Sequence, residues 1–487
     1  MTEAERRAER SRWIALVVCC SALFMTLLDV SVTNVALPSI ANATGAGPSE
    51  LQWVISGYTL AFGLVPVLAG RLGDDHGRRL MFQIGVASFA LTSMLAGVAP
   101  TSGLLILARV LQGLSGGLIN PQVSGLIQQM FHGNERGRAF GALGTTVGLG
   151  TALGPLVGGA LIALGGPHLG WRLVFFVNVP VGIVVIALAR RYLPHDPATG
   201  HHRLDVLGSG LLGLATFCVL FAAVEYDSLR DLRLVWLVLP AVVLLGLFLR
   251  RERLLTRLDA DPLVDLRLFR RPSYTAGVVL ALVYFPAMAG LPLVMALYYQ
   301  QGLGYSAIES GVGITAYAVG NAVSAPTAGR FVTRIGRPMI VGAALTFGLG
   351  AVAMAVTVHH TGSHAALALA GPLFVMGIGS GALITPNQTL TLMDVDPLVG
   401  STAGGVLQTA QRIGLAVGQS VIGAVFFASV HGPGAASYAH ALGNAVLAAL
   451  CFVVAAVFVG GLDLYRHGAR VRGRVGGVER PATPPPR

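Results

Sequence analysis

This sequence predicts an all-α fold whose helices cross a membrane many times. Of its 487 residues, 54% are hydrophobic and only 11% are charged, whereas soluble domains carry about 25% charged residues. Apolar stretches of about 20 residues, the length that spans a bilayer as a helix, recur from one end of the chain to the other. Together these observations indicate a polytopic membrane protein.

The individual spans are delimited by clusters of glycine and proline and by short charged loops. These boundaries divide the apolar sequence into about fourteen segments, each long enough to be a membrane helix. The predicted spans are 13–38, 51–70, 80–99, 102–130, 138–164, 172–191, 205–225, 233–250, 273–300, 307–328, 338–358, 364–392, 401–430 and 439–464.

The distribution of arginine along the chain predicts the orientation of the spans in the membrane. The chain contains no lysine, and its net charge of +11 is spread over short loops, which disfavours nucleic acid as a partner. With the N-terminus inside, about 28 arginines fall in cytoplasmic segments and only Arg172, Arg230 and Arg233 fall outside, as the positive-inside rule requires. Both termini are therefore predicted to be cytoplasmic.

Two polar segments lie outside the predicted spans. The loop at residues 251–272 is the longest polar connection and is expected to run along the inner membrane surface as an amphipathic piece. The segment at residues 466–487 is rich in proline, glycine and arginine, a composition typical of disordered chains.

A short internal repeat relates the two halves of the chain. Residues 70–81 (GRLGDDHGRRLM) and residues 329–340 (GRFVTRIGRPMI) both read G-R-x-x-x-x-x-G-R. The first joins predicted spans two and three, and the second joins spans ten and eleven. Repeated halves are an architecture of secondary transporters; the alternative is two ordinary basic loops.

The first repeat resembles the loop motif of the major facilitator superfamily, G-x-L-A-D-x-x-G-R-R/K-x-x-L. Gly73 and Asp75 depart from that pattern, and Asp75 replaces a basic residue, which is expected to weaken the local charge network. An aspartate beside arginines at a helix end can act as a conformational latch between helices; a turn with ordinary inner-side charges is the alternative. The matching residues are Gly70, Leu72, Asp74, Gly77, Arg78 and Arg79.

Two charged residues of opposite sign, Asp29 and Arg109, lie well inside predicted spans in the first half of the chain. Residues 105–117 (LILARVLQGLSGG) resemble the fourth-span motif of the same superfamily, with Arg109, Gln112 and Gly113 in register. Asp29 is the only acidic residue well inside the first span, at a depth similar to that of Arg109. Since intramembrane charges are costly unless paired or hydrated, we expect both to face one aqueous cavity, with Asp29 as the proton-coupling candidate and an attractor of cations. A structural ion pair is the alternative.

Residues 150–159 (GTALGPLVGG) place poor helix formers inside an apolar run. The segment matches G-x-x-x-G-P-x-x-G-G, the fifth-span motif associated with antiporters in this superfamily. Glycines on one helix face allow a neighbouring helix to approach closely, and a proline permits a kink. The alternative is a static packing seam. The motif residues are Gly150, Gly154, Pro155, Gly158 and Gly159.

Several other segments, among them LDVSVTNVALP, GWRLVFFVNVPVGI and GGVLQTAQRIGLAVGQSV, resemble the fourteen-span drug:proton antiporter branch of the superfamily. The resemblance implies two six-helix bundles around a central cavity, and export of hydrophobic or cationic compounds against proton entry across a bacterial inner membrane. The implied divisions are a cytoplasmic N-terminus 1–12, bundles 13–193 and 273–465, a two-helix insertion 204–250, a cytoplasmic loop 251–272 and a tail 466–487.

Polar and aromatic residues inside the spans are candidates for the substrate cavity, although contacts between helices explain most of them equally well. They are Asp29, Asn34, Tyr58, Arg109, Gln112, Tyr284, Asn387, Gln388, Gln411 and Arg412.

The absence of lysine excludes an ATP-binding G-x-x-x-x-G-K-[ST] motif, so we expect no cofactor and a proton gradient as the energy source. No catalytic constellation stands out, and a metal site at His359, His360 and His364 is disfavoured against a chance polar loop. We expect a monomer in the lipid bilayer. A proton-coupled metabolite symporter and a dedicated exporter of an endogenous antibiotic remain alternatives, as does a sensor or intramembrane enzyme.

Overall fold

Helices joined by short loops make up the computed structural model, which describes residues 2–195, 205–229, 236–258, 260–358, 365–432 and 434–475. Within these ranges the chain is all-α and contains no β-strand. The helices are α1 Glu3–Thr44, α2 Pro48–Leu64, α3 Pro66–His76, α4 Arg78–Val98, α5 Ser102–Met130, α6 Gly133–Phe176, α7 Asn178–Tyr192, α8 Val206–Leu229, α9 Val238–Arg257, α10 Pro272–Leu297, α11 Ala307–Ile335, α12 Arg337–Val358, α13 Ala365–Met393, α14 Gly400–Ser429 and α15 Ala435–Val475.

Ten of the helices in the described ranges are long and apolar enough to cross a bilayer, or eleven if the bent pair of α2 and α3 counts as one span. The chain is therefore a multi-pass membrane protein. Helix α9 falls short because Arg250, Arg251, Glu252 and Arg253 occupy its C-terminal part. The larger number of about fourteen spans stays a prediction.

Two helices are interrupted where the sequence weakens regular hydrogen bonding. Pro66 begins α3, and the axis turns by 48° between α2 and α3, since proline lacks an amide hydrogen and clashes with the preceding turn. Gly166 breaks α6 with a φ of 64°, a conformation that glycine adopts without the steric cost that other residues meet. As a result, α3 points in a different direction from α2, and the part of α6 after Gly166 points in a different direction from the part before it.

The helices pack as two groups, with α8 and α9 beside them. In the first group α1 packs on α6, α2 on α5, and α4 on α5 and α7; in the second, α11 and α12 pack on α13, and α10 on α14 and α15. Helix α8 rests on α2 and α14. This pairing agrees with the predicted bundles, while the residue boundaries of the bundles stay a prediction.

Polar contacts join the start of α1 to the end of α15 on one face of the molecule, which we call the terminal face. Arg12 Nη1 donates to the carbonyl of Met130 at 3.3 Å, at the α5–α6 link. Asn134, at the start of α6, is hydrogen-bonded to Thr333 of α11. Arg337, at the start of α12, forms an ion pair with Asp463 of α15. The link between α1 and α2 lies on the opposite face.

Two expectations about polar segments need correction. The tail predicted to be disordered from residue 466 is helical through Val475, because no proline interrupts the segment before residue 481 and arginines suit a helix C-terminus. Residues 476–487 lie outside the described ranges. So does the histidine-containing loop at residues 359–364, for which a metal site was the disfavoured alternative.

The loop at residues 251–272 does not run along the surface as one amphipathic piece. Helix α9 continues to Arg257, and a short 3-10 helix covers Leu266–Arg270. Between them Leu263 and Val264 are buried in a cluster with Val67 of α3 and Phe248 of α9. The loop therefore packs against α3 on the terminal face, because burying its apolar side chains outweighs leaving them at the surface.

Glu252 of α9 holds this loop in place by a hydrogen bond. Its side chain is fully buried, and its Oε2 accepts a hydrogen bond from the backbone amide of Val264 at 3.2 Å. Nearby, Asp205 accepts hydrogen bonds from Arg251 at 2.7 to 2.9 Å. Burial, together with the negative charge of Asp205, raises the pKa of Glu252 to about 7.

This pKa predicts a pH-dependent stability of the folded protein. Between the ordinary pKa of 4.5 and about 7, folded Glu252 keeps a proton that the unfolded chain has lost. The free energy of unfolding therefore falls as the pH rises through this window. We expect the unfolding midpoint of the detergent-solubilised protein to fall by about 2 to 4 °C less in Glu252→Gln than in wild type between pH 5 and pH 8.

The matched control is Glu135→Gln, which removes a partly exposed carboxylate on the same face, paired with Arg12. This variant should follow the wild-type dependence on pH. An equal fall in the wild type and Glu252→Gln would contradict the role of Glu252.

Candidate functional site

A buried ion pair lies at the centre of the first helix group. Asp29 of α1 and Arg109 of α5 are each 1% exposed, and Arg109 Nη1 donates to Asp29 Oδ2 at 2.5 Å. Gln112 and Asn178 donate to Asp29 Oδ1 at 2.9 and 2.8 Å. Arg109 Nε donates to the carbonyl of Val54 at 3.1 Å. Both charges are thus compensated inside the protein, as an apolar surrounding requires.

The pair and the residues that hold it in place come from five helices, α1, α2, α4, α5 and α7. Gln112 lies three residues after Arg109, one turn along α5, and also accepts from Arg109 at 2.7 Å. Asn178 begins α7 and also donates to Ser93 Oγ of α4 at 2.9 Å. Sequence analysis missed Asn178, although a polar residue within the apolar segment GWRLVFFVNVPVGI was the signal that could have identified it.

A cavity of about 380 Å³ lies between the two helix groups, walled by α1, α2, α8 and α14. It lies toward the face opposite the terminal face: Gln52 lines it one turn into α2, and the lining residue Asn34 is exposed. Its size falls within the range of small-molecule sites. Its polar lining in the described chain consists of Thr26, Ser31, Asn34, Gln52, Ser56, Tyr58, Thr59, Gln419 and Arg412.

The expectation that Asp29 and Arg109 face an aqueous cavity is wrong, because neither residue lines this one. Tyr58 intervenes: its ring lies 4.3 Å from the guanidinium of Arg109. The Tyr58 and Phe62 ring centroids are 5.8 Å apart, and Arg412 lies 4.1 Å over Phe62. A row of contacting groups, which we call the aromatic relay, thus runs from the ion pair to the cavity wall.

The predicted cavity residues divide into two sets. Asn34, Tyr58 and Arg412 line the cavity, whereas Gln112 belongs to the ion pair and Gln411 is not part of the lining. Helix α8, which sequence analysis treated only as an insertion, contributes to the wall because it packs on both α2 and α14.

Three further cavity candidates lie elsewhere. Tyr284 is fully buried in the second helix group, with its ring 5.5 Å from that of Phe347. Asn387 donates to the carbonyl of Gly277 at 3.1 Å, a contact between helices. Gln388 lies within 3.4 Å of Ser124 Oγ across the interface of the two groups. Sequence supplied the depth of these residues but not the direction in which they point.

The two helix groups are joined on the terminal face by Asp74. Its carboxylate accepts from the backbone amides of Ser401 and Thr402 at 3.1 and 2.8 Å and from Thr402 Oγ1 at 2.8 Å. These amides belong to the first turn of α14, where a helix favours negative charge. Arg78 holds Asp74 in place at 2.9 Å and donates to the carbonyl of Gly125 at 3.1 Å.

The residues around Asp74 differ from the expectation in two ways. Asp75 does not disturb the network, because it pairs with Arg71 at 3.1 Å. Arg79 does not reach the second helix group; it donates to the carbonyl of Leu193 at 3.2 Å, at the end of α7. Gly77 separates α3 from α4 with a φ of 97°, which suits glycine.

The first glycine of each repeat marks a close approach between the helix groups. A side chain at Gly70 would collide with the backbone of Ser401, and one at Gly329 would collide with the carbonyl of Gly137 of α6. The terminal face is therefore closed by backbone-to-backbone contact at two related places, which only glycine permits.

The glycine-rich segment of α6 lies against α1. A Cβ at Gly150 would lie 2.9 Å from Leu27 Cβ, one at Gly154 would collide with Ser31, and one at Gly158 would lie 3.0 Å from Val32 Cγ1. Pro155 lies within the same helix. A Cβ at Gly159 would meet nothing within 4 Å, so this glycine is not part of the seam.

The family of the chain follows from its sequence. Residues 19–419 and 277–480 match the family model described as the Major Facilitator Superfamily. The chain belongs to the major facilitator superfamily. It is accordingly a member of a family of membrane transporters.

Relatives of this superfamily member include named antibiotic transporters. It is 37% identical to a probable actinorhodin transporter of Streptomyces coelicolor, over 85% of this chain and 72% of that protein. It is 35% identical to a puromycin resistance protein of Streptomyces alboniger, over 85% and 82%. The structure of a proton:xylose symporter shares the fold, with a TM-score of 0.64 and 14% identity over 91% of this chain and 95% of that one.

The seam of this transporter predicts different effects at neighbouring glycines. In Gly154→Ala the new methyl group would force α1 and α6 apart at Ser31, at a cost of about 1 to 3 kcal/mol of stability. We expect a lower unfolding midpoint in detergent and reduced transport.

Gly159→Ala is the matched control, because open space receives its methyl group. It should keep the wild-type unfolding midpoint and transport. Equal loss in both variants would show that helix propensity or kinking, rather than the close approach to α1, explains the glycines.

Proposed function

We propose that the protein is a proton-driven exporter of hydrophobic, drug-like compounds that works by alternating access. The observation that carries this proposal is the buried Asp29–Arg109 pair, which the aromatic relay connects to a cavity of ligand size. The names of the relatives, which refer to antibiotic transport and resistance, support export of such compounds.

The closed terminal face supports alternating access. Asp74 and the two glycine contacts hold the helix groups together on this face, while the cavity lies toward the other. If both termini are cytoplasmic, this is the state from which a substrate leaves to the outside. Releasing the hydrogen bonds to α14 would separate the groups on the terminal face and admit the next molecule.

A proton on Asp29 supplies the coupling in this proposal. Neutralising the carboxylate cancels its attraction for Arg109, whose guanidinium then keeps Gln112, the Val54 carbonyl and the Tyr58 ring as partners. Since charge and partner both change in a low-dielectric surrounding, the position of Arg109 is expected to depend on the proton. Tyr58 transmits that change to the cavity wall.

The proposal includes an arrangement in the membrane. The transporter would lie in a bacterial inner membrane as a monomer of the fourteen-span branch, with bundles at residues 13–193 and 273–465 and both termini in the cytoplasm. It would need no cofactor beyond the proton gradient and no nucleic-acid partner.

Export of one antibiotic made by the same cell is the second candidate, favoured by relatives that are each named for a single compound. A proton-coupled metabolite symporter would use the same fold in the opposite direction. The direction of substrate accumulation in intact cells distinguishes the symporter from both exporters.

The coupling predicts the behaviour of Asp29→Asn. In everted vesicles with an acid interior, aromatic compounds added outside should release protons from wild-type vesicles. The variant keeps the shape of the carboxylate but not its charge, so we expect at least about tenfold less substrate-dependent proton release, as for loss of a charged hydrogen bond. The measurement is the collapse of the pH gradient.

Asp396→Asn is the control, because it changes an exposed carboxylate that caps the amide of Leu398, a hydrogen bond that asparagine can keep. It should release protons as the wild type does. Undiminished release from folded Asp29→Asn would remove Asp29 from the mechanism.

A further inference from the structure

The cavity lining, as far as the structure describes it, carries positive charge and no negative charge. Arg412 of α14 is the only lining residue in the described chain that is charged at neutral pH, and no carboxylate lines the space. The nearby carboxylate of Asp29 is buried behind Tyr58 and already accepts from Arg109, Gln112 and Asn178. A cation entering this space therefore meets a positive charge without a negative one.

Arg412 lacks a partner for its hydrogen-bonding groups. Its guanidinium stacks on Phe62 at 4.1 Å, yet within the described residues it forms no hydrogen bond and no ion pair. A guanidinium carries five N–H donors in a planar fork that matches a carboxylate. Because Arg412 lines the cavity and has no acceptor from the described protein, the site favours a ligand that brings acceptor oxygens for a charge-assisted hydrogen bond.

The rest of the cavity suits an apolar or aromatic body. Leu27 and Val30 of α1, Leu220 of α8 and Leu415 of α14 form apolar wall around the guanidinium. Phe62 adds an aromatic ring, and the guanidinium lies over its face. A flat ring system with an acidic group at one end would thus bury its body while its oxygens reach Arg412.

We propose that this cavity selects amphiphilic aromatic compounds bearing an anionic oxygen group, a carboxylate or phenolate, that binds the Arg412 guanidinium, and that it disfavours permanently cationic compounds. This inference rests on the proposed export function and names its substrate class. The deciding charge is thus that of Arg412 and not that of Asp29, so the cavity prefers anions to the cations that Asp29 was expected to attract.

Binding of three probes that share one ring system tests the inference. The probes are anthracene carrying a carboxylate, a carboxamide or a methylene-trimethylammonium group. Purified protein in nanodiscs of zwitterionic lipid is titrated at neutral pH without any gradient. The fluorescence anisotropy of each probe is corrected with empty nanodiscs. The variants are Arg412→Gln, Arg412→Lys and, as a control, Arg334→Gln at an exposed position on the terminal face.

The wild type should bind the carboxylate about tenfold more tightly than the carboxamide, as expected for a charge-assisted hydrogen bond, and should bind the cation most weakly. Arg412→Gln should lose that preference with little change for the carboxamide, and Arg412→Lys should keep part of it. Arg334→Gln should match the wild type.

Three results overturn the inference: no saturable binding of any probe, equal or tighter binding of the cation by the wild type, or undiminished carboxylate binding by Arg412→Gln. The outcome is independent of proton coupling, because no gradient is present. Selective binding without proton release in vesicles would reject the coupling alone. Proton release driven equally by cations would reject the selectivity alone.

Discussion

The need to compensate a charge pair in an apolar interior governs the first half of this transporter. Arg109 can lie buried only because Asp29, Gln112 and the Val54 carbonyl surround it, and removing one partner from such a pair costs about 3 to 5 kcal/mol. This requirement fixes α1, α2 and α5 relative to one another. It also fixes Tyr58, whose ring lies against the guanidinium and forms part of the cavity wall.

Close backbone approach is the second constraint, and it makes the closed face reversible. At Gly70 and Gly329 the backbones of the two helix groups approach each other closely, and apolar side chains of both groups, such as Phe140 and Val332, pack in one buried cluster. Hydrogen bonds add to this contact: Asp74 accepts from the amides of Ser401 and Thr402, and Arg136 donates to the carbonyls of Leu392 and Met393. Each of these hydrogen bonds contributes only on the order of 1 kcal/mol net, because water replaces the partner when the bond opens, so the contact can be broken and re-formed in each cycle.

Sequence predicted the fold class from the recurring apolar stretches. The cost of a charge inside a span singled out Asp29 and Arg109, although their ion pair was only the alternative to a shared aqueous cavity. The role of Asp74 as a conformational latch stays a prediction. It did not predict that Tyr58 would separate the pair from the cavity or that Tyr284 would point into its own bundle. Depth follows from counting residues, but the direction of a side chain around the axis does not. Membrane helices are apolar all round, so periodicity gives little signal.

Helices α2 and α3 connect the cavity to the closed face, and they meet at Pro66 with a bend of 48°. The two helices therefore act as the two arms of a lever whose fulcrum is Pro66. Asp74 lies eight residues after Pro66 on α3 and Tyr58 lies eight residues before it on α2, while Gln52 of the cavity wall lies near the far end of α2. The 17 residues of α2 make an arm of about 25 Å, so that a rotation of about 10° at the fulcrum carries its far end about 4 Å. A rotation at Pro66 therefore moves Asp74 and Tyr58 by similar distances and moves Gln52, at the open end of the cavity wall, by more.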